Sequence, residues 1–251
     1  MQHDDRRARI AGILFLVTFV SAIVGAALYA PLLTDPAYVT GAGDDARITW
    51  GAVCELVLIG ANIGTAVVLF PLLRPHSEVA ALGYVAARIV ECVFIAVGIL
   101  SVLTVVTLRR SAADLGDPGA LTAVARALVG LHDWTFLLGP GFVVGIGNGL
   151  LLGFLMHRSR LMPRGFALLG LIGGPLMSLS GLAVLFGAYG QSSPWSAVAT
   201  LPEIVWEASL GVLLTIVGVR QRSDGGSARG GRGRLRAALG GRSGSARTVR
   251  R

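Results

Sequence analysis

The sequence predicts an all-α polytopic membrane protein, a bundle of about six transmembrane helices with both ends on the cytoplasmic side. Three observations predict it. Hydrophobic residues make up 53% of the 251 and charged residues only 14%, where a soluble domain carries about 25% charged residues. Mean hydropathy is +0.70, and the apolar residues fall into runs longer than the roughly 20 residues that cross about 30 Å of hydrocarbon. Arginine is distributed unequally between the two sets of loops that join those runs.

Six apolar stretches are predicted as spans, near 10–33, 49–73, 79–108, 128–156, 165–187 and 198–219. The first follows Arg6, Arg7 and Arg9 as a secretory signal would, but it is too long for the usual apolar core of a signal peptide of about 7–15 residues, so it is read as an uncleaved span. Pro31 and the Thr34–Pro36 turn close it. The second and third spans are divided by Arg74–Glu78, a short polar turn. Asp117 followed by Pro118 has the pattern of a capped helix start, predicting a short amphipathic approach to the fourth span at the outer surface. Gly141, Gly145, Gly149 and Gly153 recur every four residues there, and Gly170 and Gly174 repeat the pattern in the fifth. Strips of small residues let membrane helices approach closely. Pro140 and Pro175 are expected to kink their helices. Met156–Gly165 joins the fourth and fifth spans, and Tyr189–Trp195, with aromatic residues suited to a membrane interface, joins the fifth and sixth.

Orientation follows from arginine in short loops. One side receives Arg6, Arg7, Arg9, Arg74, Arg158, Arg160, Arg164 and the arginine-rich tail that follows Arg220. The other receives Arg47, Arg109, Arg110 and Arg126, diluted by Asp35, Asp44, Asp45, Asp114 and Asp117. The first side is therefore expected to be cytoplasmic, giving a cytoplasmic N-terminus at 1–9, a six-helix domain at 10–219 and a tail at 220–251.

The formal net charge of +8 belongs to that tail. All 22 basic residues are arginine, and ten of them stand between Arg220 and Arg251 with one acid, Asp224. The tail's Gly, Ser and Arg composition has nothing to build a core from and is expected to be disordered. Its expected partner is the anionic lipid headgroup of a bilayer rather than nucleic acid, at about 1 kcal/mol per arginine near the surface. Cys54 and Cys92 lie inside apolar runs with no metal-ligand spacing between them. Gly145–Gly149 imitates a dinucleotide loop but follows no strand.

The informative residues are polar ones within the spans: Glu55 and Asn62 in the second, Arg88 and Glu91 in the third, His132, Asp133 and Asn148 in the fourth, and Glu203 and Glu207 in the sixth. A charge near the bilayer centre costs at least about 2.5–3.5 kcal/mol on insertion scales, so each should face protein or water. At about 1.5 Å per residue, Arg88 and Glu91 fall near the midplane, three residues apart and able to neutralise each other. Glu55 and Glu207 lie nearer the outer face, and His132, Asp133 and Glu203 shallower still. Asn148 falls towards the inner half, apart from the others. Glu55, Arg88, Glu91, His132, Asp133, Glu203 and Glu207 are therefore the candidate site, an acidic cavity open to the outside with one arginine at its floor. Glu203 and Glu207, one turn apart, repel unless a proton or a cation intervenes.

Three functions fit this pattern: binding or translocation of a small solute or cation, a non-catalytic scaffold whose polar network fixes helix register, and a metal-assisted intramembrane hydrolase. The hydrolase would draw on His132, Asp133, Glu55 and Glu207 for a metal, but His132 is the only histidine so placed, and no GxSxG elbow offers a serine nucleophile. No catalytic residue is indicated, and the sequence leaves any cofactor or metal unspecified.

Five strings carry a resemblance: RIAGILFLVTFVSAIVG (Arg9 to Gly25), ARIVECVFIAVG (Ala87 to Gly98), LHDWTFLLGPGF (Leu131 to Phe142), LLLGFLMHRSRLMPRGFALLGLIGG (Leu150 to Gly174) and LPEIVWEASLGVLLTIVG (Leu201 to Gly218). In this order they are similar to a bacterial membrane-protein family known as domain of unknown function four-three-eight-six, from about Arg9 to Arg220. The resemblance implies a helical multi-pass protein of the bacterial inner membrane and no known activity. Glu55 alone among the candidate residues falls outside the strings.

Overall fold

A computed structural model describes residues 2–35, 37–41, 43–112 and 117–218. Among these residues there are helices and no strands. Six helices are long and apolar enough to cross a membrane. They are α1 (Gln2–Thr34), α2 (Asp45–Leu73), α3 (Glu78–Arg110), α4 (Pro118–Ser159), α5 (Arg164–Leu185) and α6 (Pro194–Val217). The tail expected at 220–251, and Asp114, lie outside the described residues.

Local chemistry sets the helix starts. The side chains of Asp44, Ser77, Asp117 and Ser193 accept from the backbone amides of Arg47, Ala80, Gly119 with Ala120, and Ser196, satisfying donors that have no intrahelical partner. Pro118 and Pro194 occupy first-turn positions, where the missing N–H costs nothing. The stretch after Asp117 runs into the fourth span without a break, so α4 is a single long helix. Arg160, in the left-handed conformation at φ 58°, ends it.

The six helices form a closed ring. Each packs against its neighbour in sequence, and α6 packs against α1. Gly12 lies against the Thr215 backbone and Gly211 against Leu16, where an added Cβ would sit 2.8 Å from Leu16 Cδ2. Asp5 and Gly218 come together, so both described ends lie at one end of the bundle. Apolar side chains such as Val20, Ile23, Val67, Leu100, Ile172 and Leu179 cover the outside, as a surface facing lipid requires.

The interior is layered. One apolar core, including Phe15, Leu69, Leu73, Tyr84, Met156, Trp206 and Leu210, fills the end carrying loop 74–77. A second, including Tyr29, Leu32, Ile48, Ile95, Ile99 and Val102, fills the end carrying loop 35–44. Between them, by position along α1, α2 and α3, come the buried polar residues Thr18, Ser21, Asn62, Thr65, Arg88 and Glu91. At the far end, Asp45 bridges Arg109 at 2.6 Å and Arg110 at 3.1 Å, tying the start of α2 to the end of α3. Arg109 also lies over the Tyr38 ring at 5.6 Å. Burial pushes the Tyr38 phenol up, with Asp45 adding to it.

The fourth span departs from α-helical winding. Leu137–Val143 and Gly145–Leu152 are π-helical, with the Val144 amide donating to the Gly139 carbonyl five residues back. Pro140, expected to kink this span, lies in the first π-helical stretch. A proline interrupts the α-helical ladder by removing a donor, and wide turns of this kind are frequent at functional sites. Gly145, Gly149 and Gly153 meet α5 at Gly174 with Ser178, at Gly174, and at Gly170 with Leu171. Gly141 faces only its own helix turn.

Candidate functional site

Arg88 and Glu91, one turn apart on α3, are 3% and 5% exposed. The Arg88 Nη1 donates to Glu91 Oε2 at 2.8 Å, and Asn62 Nδ2 on α2 donates to Glu91 Oε1 at 2.8 Å. Both carboxylate oxygens of Glu91 are thus engaged. The guanidinium also lies over the rings of Phe15 on α1 and Tyr84 on α3, at 5.4 and 6.0 Å, a favourable placement for a cation out of water. Its Nε has no partner.

Glu207 on α6 lies within electrostatic reach of the same arginine and of Glu91. Asn148 Nδ2 donates to Glu207 Oε1, and the Asn148 carbonyl accepts from the Trp206 indole at 2.9 Å. Asn148 therefore joins this group and does not stand apart. Counting along an α-helix misplaces it because the span is π-helical around it. Its Oδ1 is buried and without a partner.

Glu203, one turn before Glu207, is 1% exposed, and neither of its carboxylate oxygens has a hydrogen-bond partner. Its carboxyl is held in a slot of glycine backbone. A Cβ added to Gly149 would lie 2.7 Å from Oε2, and one added to Gly173 would lie 3.1 Å from it. Larger residues at those positions would close the slot. Glu207 and Arg88 are its charged neighbours.

The remaining candidates keep different company. Glu55 lies beside Tyr29, in a reciprocal fit between α1 and α2: the Glu55 stem packs on Gly25 and the Tyr29 ring on Gly51. The Tyr29 ring meets the His132 ring edge-on at 5.8 Å. His132 Nδ1 is 3.9 Å from Asp133, whose side chain is 62% exposed against 9% for His132. Consecutive residues on a helix point in different directions, so His132 faces the core and Asp133 turns away. The seven sequence candidates thus divide into Arg88, Glu91, Glu203 and Glu207 in one group, and Glu55 and His132 around Tyr29 in another, with Asp133 at the surface. Sequence reasoning left Tyr29 out of the second group, and a tyrosine one turn after a glycine was the only signal for it.

The family described as Domain of unknown function (DUF4386) matches residues 10–218. The chain belongs to this family. No curated protein and no solved structure matches it. DUF4386 membership covers all six spans and every residue of both polar groups, Glu55 included, and it assigns none of them a role.

Among the described residues, no three His, Cys, Asp or Glu side chains are grouped as metal ligands. The set that a metal-assisted hydrolase would use is divided, with Glu207 in one group, Glu55 and His132 in the other and Asp133 at the surface. Two cavities in this DUF4386 chain are apolar: one between α1 and α2, lined by residues including Leu16, Val20, Trp50 and Val57, and one at the Met162–Gly218 end. Neither touches Arg88, Glu203 or Glu207.

Proposed function

We propose that this protein binds a small solute or cation within the membrane, at the polar layer formed by Asn62, Arg88, Glu91, Asn148, Glu203 and Glu207, and passes it across. The observation that carries the reading is the Glu203 carboxyl, buried with both oxygens free of partners one turn from Glu207. Arg88 is the one buried arginine among the described residues, and it faces more than one carboxylate. An unpaired carboxylate in such surroundings is costly, so a folded protein that keeps one there has a use for what neutralises it. We place the 35–44 end outside the cell and the loops carrying Arg74, Arg158, Arg160 and Arg164 in the cytoplasm of a bacterium, from the arginine distribution. The arginine tail would then bind anionic headgroups on the inner leaflet.

Proteoliposomes carrying a pH-sensitive or a sodium-sensitive dye, challenged with opposed ion gradients, test the reading. The expected result is flux above that of protein-free vesicles, lost in Glu207→Gln. Wild-type vesicles as tight as empty ones to both ions and to small solutes would sink it.

A scaffold role is the second reading, favoured by the closed chain from Asn62 through Glu91 to Arg88, which ties α2 to α3 with both carboxylate oxygens engaged. Buried polar groups of this kind can fix the register of packed helices. A partner that copurifies with wild type and with Glu207→Gln alike would favour it.

A further inference from the structure

We propose that the ion neutralising the polar layer is a proton, carried on the Glu203 carboxyl, and that no metal cation takes that place. The inference rests on the reading above and names the ion of that same site.

Space is the first argument. The Glu203 carboxyl fits a slot walled by Gly149 and Gly173, where a Cβ added to either would lie 2.7 or 3.1 Å from Oε2. A proton takes no volume and needs one oxygen. Cations such as Ca²⁺ or Mg²⁺ take about six or more oxygen ligands. No three His, Cys, Asp or Glu side chains among the described residues are grouped to supply them.

Charge is the second. Arg88 is held by Glu91 at 2.8 Å and also faces Glu207. The groups that face Glu203 are Glu207 from its own helix and Arg88 from α3. α5 presents Gly173 there, and α4 presents Gly149. Neither oxygen of Glu203 receives a hydrogen bond, and the cation that favours its anion, Arg88, is already bonded to Glu91 and shared with Glu207, whereas a protonated carboxyl carries no charge to stabilise. Asn148, whose Nδ2 donates to Glu207 Oε1, keeps its Oδ1 buried and without a donor on the π-helical stretch of α4. Exchange with Glu207 would move the proton along one face of α6 by a single turn.

Infrared difference spectroscopy on the purified full chain tests this directly. The expected result is a carbonyl stretch from an undissociated carboxylic acid in neutral buffer, lost in Glu203→Gln and kept in Glu207→Gln. It should be unmoved when sodium, potassium and choline are exchanged, and bleached as the pH is raised. Should Glu203→Gln not fold, Glu203→Asp keeps the acid. In cells fed carbon-13-labelled glutamate, the band then shifts in wild type and stays put in Glu203→Asp. No such band, or a band bleached by sodium or potassium at constant pH, overturns the proposal and makes the slot a metal-cation site or an ordinary carboxylate. Failure here is distinguishable from failure of the transport reading. The band without flux leaves a protonated core that moves nothing, and flux without the band leaves transport standing with another carrier.

Discussion

Replacing Arg88 with leucine strands the Glu91 carboxylate and the Glu207 carboxylate opposite it without their cation. Breaking one side of a buried pair costs about 3–5 kcal/mol, so Arg88→Leu should melt far below wild type. Arg88→Leu with Glu91→Leu removes both partners of the pair, which relieves the stranded Glu91 but leaves Asn62 without its acceptor and Glu207 without its cation. The double variant should recover the part of the lost stability that the stranded Glu91 carboxylate costs, read as thermal midpoints in the same detergent. A double variant as unstable as the single one would make the pair part of the folding core and favour the scaffold. At this scale the sequence was partly legible. Arg88 with Glu91 could be paired from their spacing alone, because three residues on a helix are neighbours. His132 and Asp133 could not be separated without knowing which face of α4 turns inward. Asn148 was placed in the wrong company because depth and direction were counted with α-helical geometry across a π-helical stretch.

The fourth and fifth spans make contact through backbone. Gly149 sits directly against the Gly174 backbone with the Glu203 carboxyl at its side, so even a methyl group there must push α4 and α5 apart or displace the acid. Gly149→Ala should destabilise by about 1–3 kcal/mol, the usual cost of overpacking. Gly60→Ala on α2, where nothing lies within 4 Å of an added Cβ, should be neutral or slightly stabilising, because alanine favours helix by up to about 1 kcal/mol over glycine. Thermal melts of the two variants side by side check this, and equal effects would contradict the packing described. The glycine strip was visible in the sequence by its period of four, and three of its four members meet α5. Gly141 breaks the pattern: its nearest neighbours are Phe136 and Leu137 of its own helix.

At the scale of the whole molecule, six apolar runs and their punctuation were enough to anticipate six helices, because a span must satisfy its backbone internally and only a helix does so alone. The closing of the ring was not legible, since nothing in the local sequence of α1 names α6 as its neighbour. Which end faces the cytoplasm is open to a direct measurement. In a variant lacking Cys54 and Cys92, a membrane-impermeant thiol reagent added to intact cells should label Ala188→Cys and spare Pro75→Cys, and the reverse labelling would invert the orientation. The contact of α6 with α1 also bears on how the chain is made. Synthesis delivers α1 first and α6 last, so the face of α1 that carries Leu16, packed against Gly211 in the finished ring, waits in the bilayer for the whole domain to emerge from the ribosome. During that interval Arg88 travels with Glu91 on its own helix, a ready-made counterion that needs no later segment. Glu203 and Glu207 enter only after that arginine is in place. A ribosome halted before the sixth span should therefore leave a chain already inserted but not yet sealed, its polar layer missing two acids, and open to capture by whatever membrane chaperone recognises an unfinished helix face.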